Sequence, residues 1–129
     1  MLSQRLIIGD LSEMKDEKWT NETIPDEIPA RLGGELVWLP TGKKGALLAV
    51  GGTALSLSES ASFPVTDKNN ETRTKGEGFM KDVHVYDIDQ KQWYTQTTTG
   101  DIPPPTAEFC TVVASSQDGS SHQVIPIPF

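Results

Sequence analysis

Cysteine is almost missing from this chain, with Cys110 its sole thiol. One thiol cannot close an internal disulfide, and with only His84 and His122 to join it no ordinary zinc site can be built. Aromatic residues are scarce at 7%, and Lys and Arg number 11 against 18 Asp and Glu, for a net charge of −7. That balance excludes a basic surface and argues against nucleic acid as a partner, because phosphate neutralisation needs clustered cations. It names no other partner, and a solvated acidic surface accounts for it. No stretch approaches the roughly 18 consecutive apolar residues of a membrane helix, so no membrane contact is expected from this segment itself. The apolar run near Met1 is too short for a secretory signal. What the chain does hold is 11 Gly and 9 Pro in 129 residues, a composition that suits one domain of short strands and turns.

Apolar runs closed by turn residues mark the strands. Leu6-Ile7-Ile8 ends at Gly9-Asp10, and Ile24-Pro25-Asp26-Glu27-Ile28-Pro29 breaks any regular element. Leu36-Val37-Trp38-Leu39 and Ala46-Leu47-Leu48-Ala49-Val50 flank a turn-like Pro40 to Gly45, so the pair reads as a hairpin. Residues 53–81 are mostly Ser, Thr, Asn and charge without apolar periodicity. They read as a long, exposed, protease-sensitive surface loop, with trypsin cutting at Lys68, Arg73 or Lys75 before Lys91. Order returns with the alternation of Asp82-Val83-His84-Val85-Tyr86-Asp87 and the β-rich stretch after Trp93. Two more strands, Phe109 to Ala114 and His122 to Ile127, flank Ser115 to Gly119. Cys110 lies in the first of these and is expected to be a small buried hydrophobe.

The chain repeats itself. A shift of 74 positions brings Trp19 onto Trp93, Ile28-Pro29 onto Ile102-Pro103, Leu36 to Leu39 onto Cys110 to Val113, Gly45 onto Gly119 and Val50 onto Val124. The repeated unit is four short antiparallel strands, entered in its middle, which is the blade of a β-propeller. The expected layout puts 35–39, 46–51, 82–87 and 92–98 in one four-stranded sheet, 4–9 beside the strand at Trp19, and 108–114 beside 122–127. No helix longer than two turns is expected between 29 and 114.

Gly51-Gly52 at the end of an apolar strand, then Tyr86, then Trp93 after six intervening residues, resembles the kelch motif, and Gly100-Asp101-Ile102-Pro103 is a stop typical of such repeats. More narrowly, Asp82 to Ile88, Trp93 to Gln96 and Phe109 to Val113 resemble large fungal kelch proteins of the cell surface. The resemblance implies an all-β, partial kelch-type propeller. Its parts are a half-blade at 1–28, a complete blade at 29–103 with the inserted loop 53–81, and a half-blade at 104–129. It implies structural roles for Gly51, Gly52, Tyr86 and Trp93, and a cell-surface or membrane setting for a full-length relative. Gly9 stands where the motif has tyrosine, and Pro126 and Pro128 stand where a second glycine pair is expected. Such prolines spoil a central strand, so the chain reads as a truncated piece of a larger ring of typically about 4–8 blades.

The function expected on this basis is a non-catalytic scaffold for an unknown protein or other macromolecule, without cofactor, able to self-associate through exposed blade faces. The isolated chain is not expected to behave as a well-packed monomer. The rival class is a piece of a kelch-fold enzyme resembling galactose oxidase, with its catalytic residues outside the chain. A product without function is the third reading. Metal chemistry of the oxidase kind needs His and Tyr ligands gathered from several blades, and nothing gathers His84, His122, Tyr86 and Tyr94. Glu22, Asp26 and Glu27 read as a solvated acidic turn. Asn21-Glu22-Thr23 and Asn70-Glu71-Thr72 match the glycosylation acceptor pattern, relevant to Asn21 and Asn70 if the protein is secreted.

Overall fold

Alternating and β-branched runs bounded by Gly, Pro and Asp fold into eight strands in the computed structural model, which describes residues 4–13, 15–53 and 68–128. Strands β1 (Arg5–Asp10) and β2 (Lys18–Thr23) form a two-stranded sheet. Strands β3 (Glu35–Leu39), β4 (Ala46–Val50), β5 (Asp82–Asp87) and β6 (Gln92–Thr97) form one antiparallel sheet in the order β3-β4-β5-β6. Strands β7 (Phe109–Ser115) and β8 (His122–Pro128) form a third sheet. This is the layout expected from the repeat: one full blade between two hairpins.

Local chemistry sets the turns. Asp87 Oδ1 accepts the backbone N–H groups of Asp89 and Gln90 at 2.8 and 2.9 Å, and Asp10 Oδ1 accepts that of Ser12 at 3.0 Å. A carboxylate placed just as a strand ends satisfies the first donors of the turn, which explains why Asp recurs there. Gly9 lies opposite Trp19, and a Cβ built on Gly9 would come 2.8 Å from the Trp19 ring. The indole therefore lies across the glycine backbone, which accounts for glycine where the blade has Tyr86.

The insertion differs from expectation. Residues 54–67 lie outside those described, but Lys68–Lys81 is an α-helix, α1, of 14 residues, not a loop, and it exceeds the two turns anticipated for 29–114. Its composition has no apolar stripe to announce it. The helix is held instead at its C-terminal end, where Phe79 and Met80 are buried and Gly76 lies against Pro105. The Thr98 hydroxyl donates to the carbonyls of Met80 and Lys81, and the Thr98 N–H also donates to Lys81, supplying partners that a helix end otherwise lacks. Tertiary anchoring of one turn has overridden a weak local preference.

Pro126 and Pro128 sit within β8, opposite Thr111 and Phe109. The Ser116 N–H donates to Ser121 at 3.0 Å, making that pair hydrogen-bonded, and alternation along the ladder then puts both prolines at non-hydrogen-bonded positions. Their missing N–H groups would have pointed to the open edge, so neither proline breaks the hairpin. The gapless repeat also needs correcting. Gly33 and Glu108, both at positive φ (66° and 56°), occupy matching places before β3 and β7. Leu36 therefore corresponds to Thr111, not to Cys110, and Val50 to Ile127, not to Val124.

The main core lies between sheets. Val37 and Val50 from the blade meet Phe109 from β7, with Leu39, Leu48, Val113 and Val124 packed around them. Cys110 is on the other face of β7 and is exposed, contrary to expectation. Strict alternation with buried Phe109 forces this, and no further sheet covers that face among the described residues.

Candidate functional site

The four motif residues join the sheets rather than line a reaction centre. Gly51 and Gly52 both have positive φ (60° and 96°), which glycine adopts without a Cβ penalty. A Cβ on Gly51 would lie 2.6 Å from the Thr106 carbonyl oxygen and 2.7 Å from the Phe109 ring. The Gly52 N–H donates to the same Thr106 carbonyl at 2.8 Å. The glycine pair thus lets the backbone leave β4 in direct contact with the next hairpin.

Tyr86 and Trp93 face each other across β5 and β6, with ring centroids 5.2 Å apart at a 49° tilt. Tyr86 is 2% exposed, and its hydroxyl donates to Glu22 Oε2 at 2.7 Å. Lys91 Nζ donates to the other oxygen, Oε1, at 3.0 Å. Glu22 is therefore not part of a solvated acidic turn: it lies half-buried in β2 and ties that hairpin to the blade, while Asp26 and Glu27 remain exposed in the turn. Burial, reinforced by the Glu22 carboxylate, pushes the Tyr86 phenol up to about 12. The hydrogen bonds from Tyr86 and Lys91 hold the Glu22 carboxyl below its ordinary range.

A second cluster escaped the sequence reading. The Arg31 guanidinium lies 4.4 Å from the centroid of the buried Phe79 ring. It donates to the carbonyls of Ala49 and Gly51 at 3.3 and 3.2 Å, and its Nη2 reaches His84 Nδ1 at 2.6 Å. An acceptor Nδ1 means a neutral imidazole, and burial followed by the Arg31 charge lowers the His84 pKa. Burial also lowers Arg31, to about 10. The cation clamps the strand end that carries the glycine pair to α1. An isolated Arg after a proline-rich turn gives no local hint of this role.

Beside this cluster a cleft of about 420 Å³ opens between α1, β5 and the turn before β3. Phe79 and His84 line its floor, Pro29 and Thr95 its walls, and the carboxylates of Glu27 and Asp82 its margin. Asp82 also accepts from Thr97 Oγ1 at 2.7 Å. The two histidines are not brought together: His122 Nδ1 is 2.9 Å from Ser115 Oγ on β7 and β8, away from His84. The Tyr94 hydroxyl donates to Gln90 and Gln92. Asn21 is exposed on β2, and Asn70 lies within α1. Among the described residues no group of three or more His, Cys, Asp or Glu is placed to hold a metal ion, and no helix is long and apolar enough to cross a membrane.

Blades of four antiparallel strands, stacked face to face and joined through a glycine pair and a Tyr–Trp pair, define a partial kelch-type β-propeller. Over 95 residues, 73% of its length, the chain is 35% identical to a kelch repeat-containing protein of the fungus Arthroderma benhamiae. The chain belongs to the kelch-repeat family. It spans about 11% of that relative's length. No family model and no solved structure matches it.

Proposed function

We propose that this chain is a non-catalytic kelch scaffold, a section of a larger propeller, that binds a protein partner through the cleft between α1 and the blade. That cleft is the observation that carries the reading. Its apolar floor and its margin of Glu27 and Asp82 suit a side chain with an apolar stem and a cationic head, and the net charge of −7 favours a basic partner at longer range. The non-catalytic character is supported by the engagement of each imidazole and phenol with a structural partner: His84 with Arg31, His122 with Ser115, Tyr86 with Glu22 and Tyr94 with Gln90. Selection of a displayed random-peptide library on the whole chain tests the proposal. Peptides rich in Lys or Arg should be enriched, and enrichment should be lost with Thr95→Arg or Glu27→Lys. No enrichment, or equal enrichment by the variants, would refute it.

A further inference from the structure

Two uncovered apolar surfaces of this chain are the two halves of an interface that the chain already forms. The hairpins β3–β4 and β7–β8 repeat each other closely. Gly33 and Glu108 hold the same left-handed backbone, and the Glu108 N–H donates to the Gly33 carbonyl at 2.8 Å. Val37 follows Gly33 at the spacing with which Val112 follows Glu108, and Trp38 corresponds likewise to Val113. The cross-strand pairs agree: Val37 faces Leu48 as Val112 faces Ile125, and Trp38 faces Leu47 as Val113 faces Val124. Within the chain, the Val37–Leu48–Val50 face of the first hairpin stacks on the Phe109–Val113–Val124 face of the second.

Each hairpin has one face in that interface and one outside it. The outer face of β7–β8 presents Val112, Ile125 and Ile127, which are 49%, 47% and 49% exposed. These are the counterparts of Val37, Leu48 and Val50. The outer face of β3–β4 presents Leu36 and Trp38, 46% and 54% exposed. These are the counterparts of Thr111 and Val113. The hairpin β1–β2 reaches the blade at Tyr86 and Lys91 and leaves both residues open. One molecule therefore carries a surface and its complement, related by the step between consecutive blades, and five of their side chains are apolar and uncharged.

We infer that a second copy of this chain covers these faces. The Val112–Ile125–Ile127 face of one molecule stacks on Leu36 and Trp38 of the next, head to tail, as β3–β4 stacks on β7–β8 within each. Such a contact is heterologous, so it propagates from copy to copy. It runs through faces and not through the β8 edge, where Pro126 and Pro128 remove two outward donors. It shares no residue with the peptide-binding cleft, so the two proposals fail independently.

The test is sedimentation velocity of the whole chain across a wide concentration range. Mass should rise above that of one chain, with a blue shift of tryptophan emission as Trp38 is covered. Ile127→Lys and Trp38→Lys should each abolish association, because each leaves one kind of face without its complement. Mixed in equal amounts, the two variants should form a dimer that grows no further. Should circular dichroism show either lysine variant unfolded, Ile125→Thr and Leu36→Ser replace them, each weakening association by about tenfold or more. A wild-type chain that stays monomeric, variants that associate like wild type, or a mixture that stays monomeric would overturn the inference.

Discussion

Replacing Phe109 with Ala removes the aromatic ring at the joint between the blade and β7–β8. Phe109 is 2% exposed and contacts the core of Val37 and Val50. Truncation of a buried Phe to Ala costs about 3–5 kcal/mol, with the higher values where the cavity cannot collapse. Here the ring rests on the Gly51 backbone, and the neighbouring Gly52 and Thr53 N–H groups are bonded to Thr106 and Leu32, so the upper part of that range applies. What would still hold β7–β8 in place is chiefly two backbone bonds, Gly52 to Thr106 and Glu108 to Gly33, each worth about 1 kcal/mol net. A loss of about 4 kcal/mol exceeds that reserve, so the hairpin should separate while the four-stranded sheet persists. Native-state hydrogen exchange reads this directly. The amides of Gly52 and Glu108 should exchange roughly a thousandfold faster or more, with those within β4 and β5 little changed. Phe109→Leu should restore most of the protection. Retention of Gly52 and Glu108 protection to within about tenfold in Phe109→Ala would refute the assignment of this joint to one ring.

Two further perturbations test the other contacts. In a Tyr94→Phe background Tyr86 is the remaining phenol, and its absorbance should titrate near 12 instead of 10. Because the folded value is the higher one, the stability from keeping Tyr86 neutral is full below pH 10 and is lost as pH rises through 12; a midpoint near 10 would contradict its burial. Arg31→Leu should cost about 1.5–3 kcal/mol through the lost charged bonds to Ala49 and Gly51. It should also raise the His84 midpoint in an NMR titration, but not fully to 6.5, since burial is the larger cause of its lowering. An unmoved midpoint would mean that Arg31 does not act on the imidazole.

The strands were readable because their signal is local: alternation at Asp82 to Asp87, β-rich residues after Trp93, and Gly, Pro and Asp between. The repeat of Asp and Trp gave the blade, and the glycine pair with Tyr86 and Trp93 gave its kind. Where the reading failed, the deciding contact was distant. Phe109 to Val113 shows apolar side chains on both faces, so composition does not say which face is covered, and Cys110 was placed on the wrong one. Helix α1 depends on Phe79, Met80 and Thr98, which no periodicity connects. Glu22 looked like surface charge until Tyr86 and Lys91 were placed beside it, and Arg31 meets His84 from 53 positions away. The cleft is made of such meetings and has no local signature.

The prolines of β8 bear on how this chain avoids misassembly. A bare strand edge is a template on which another extended segment can add by exchanging N–H and carbonyl groups, the elementary step of fibril growth. At Pro126 and Pro128 the outward N–H groups do not exist, so an incoming strand would find carbonyls but lose two of the donors it needs. The residues that look out of place in a propeller strand thus act as a chain terminator for cross-β polymerisation, while the apolar faces on either side of them stay free for ordered contact.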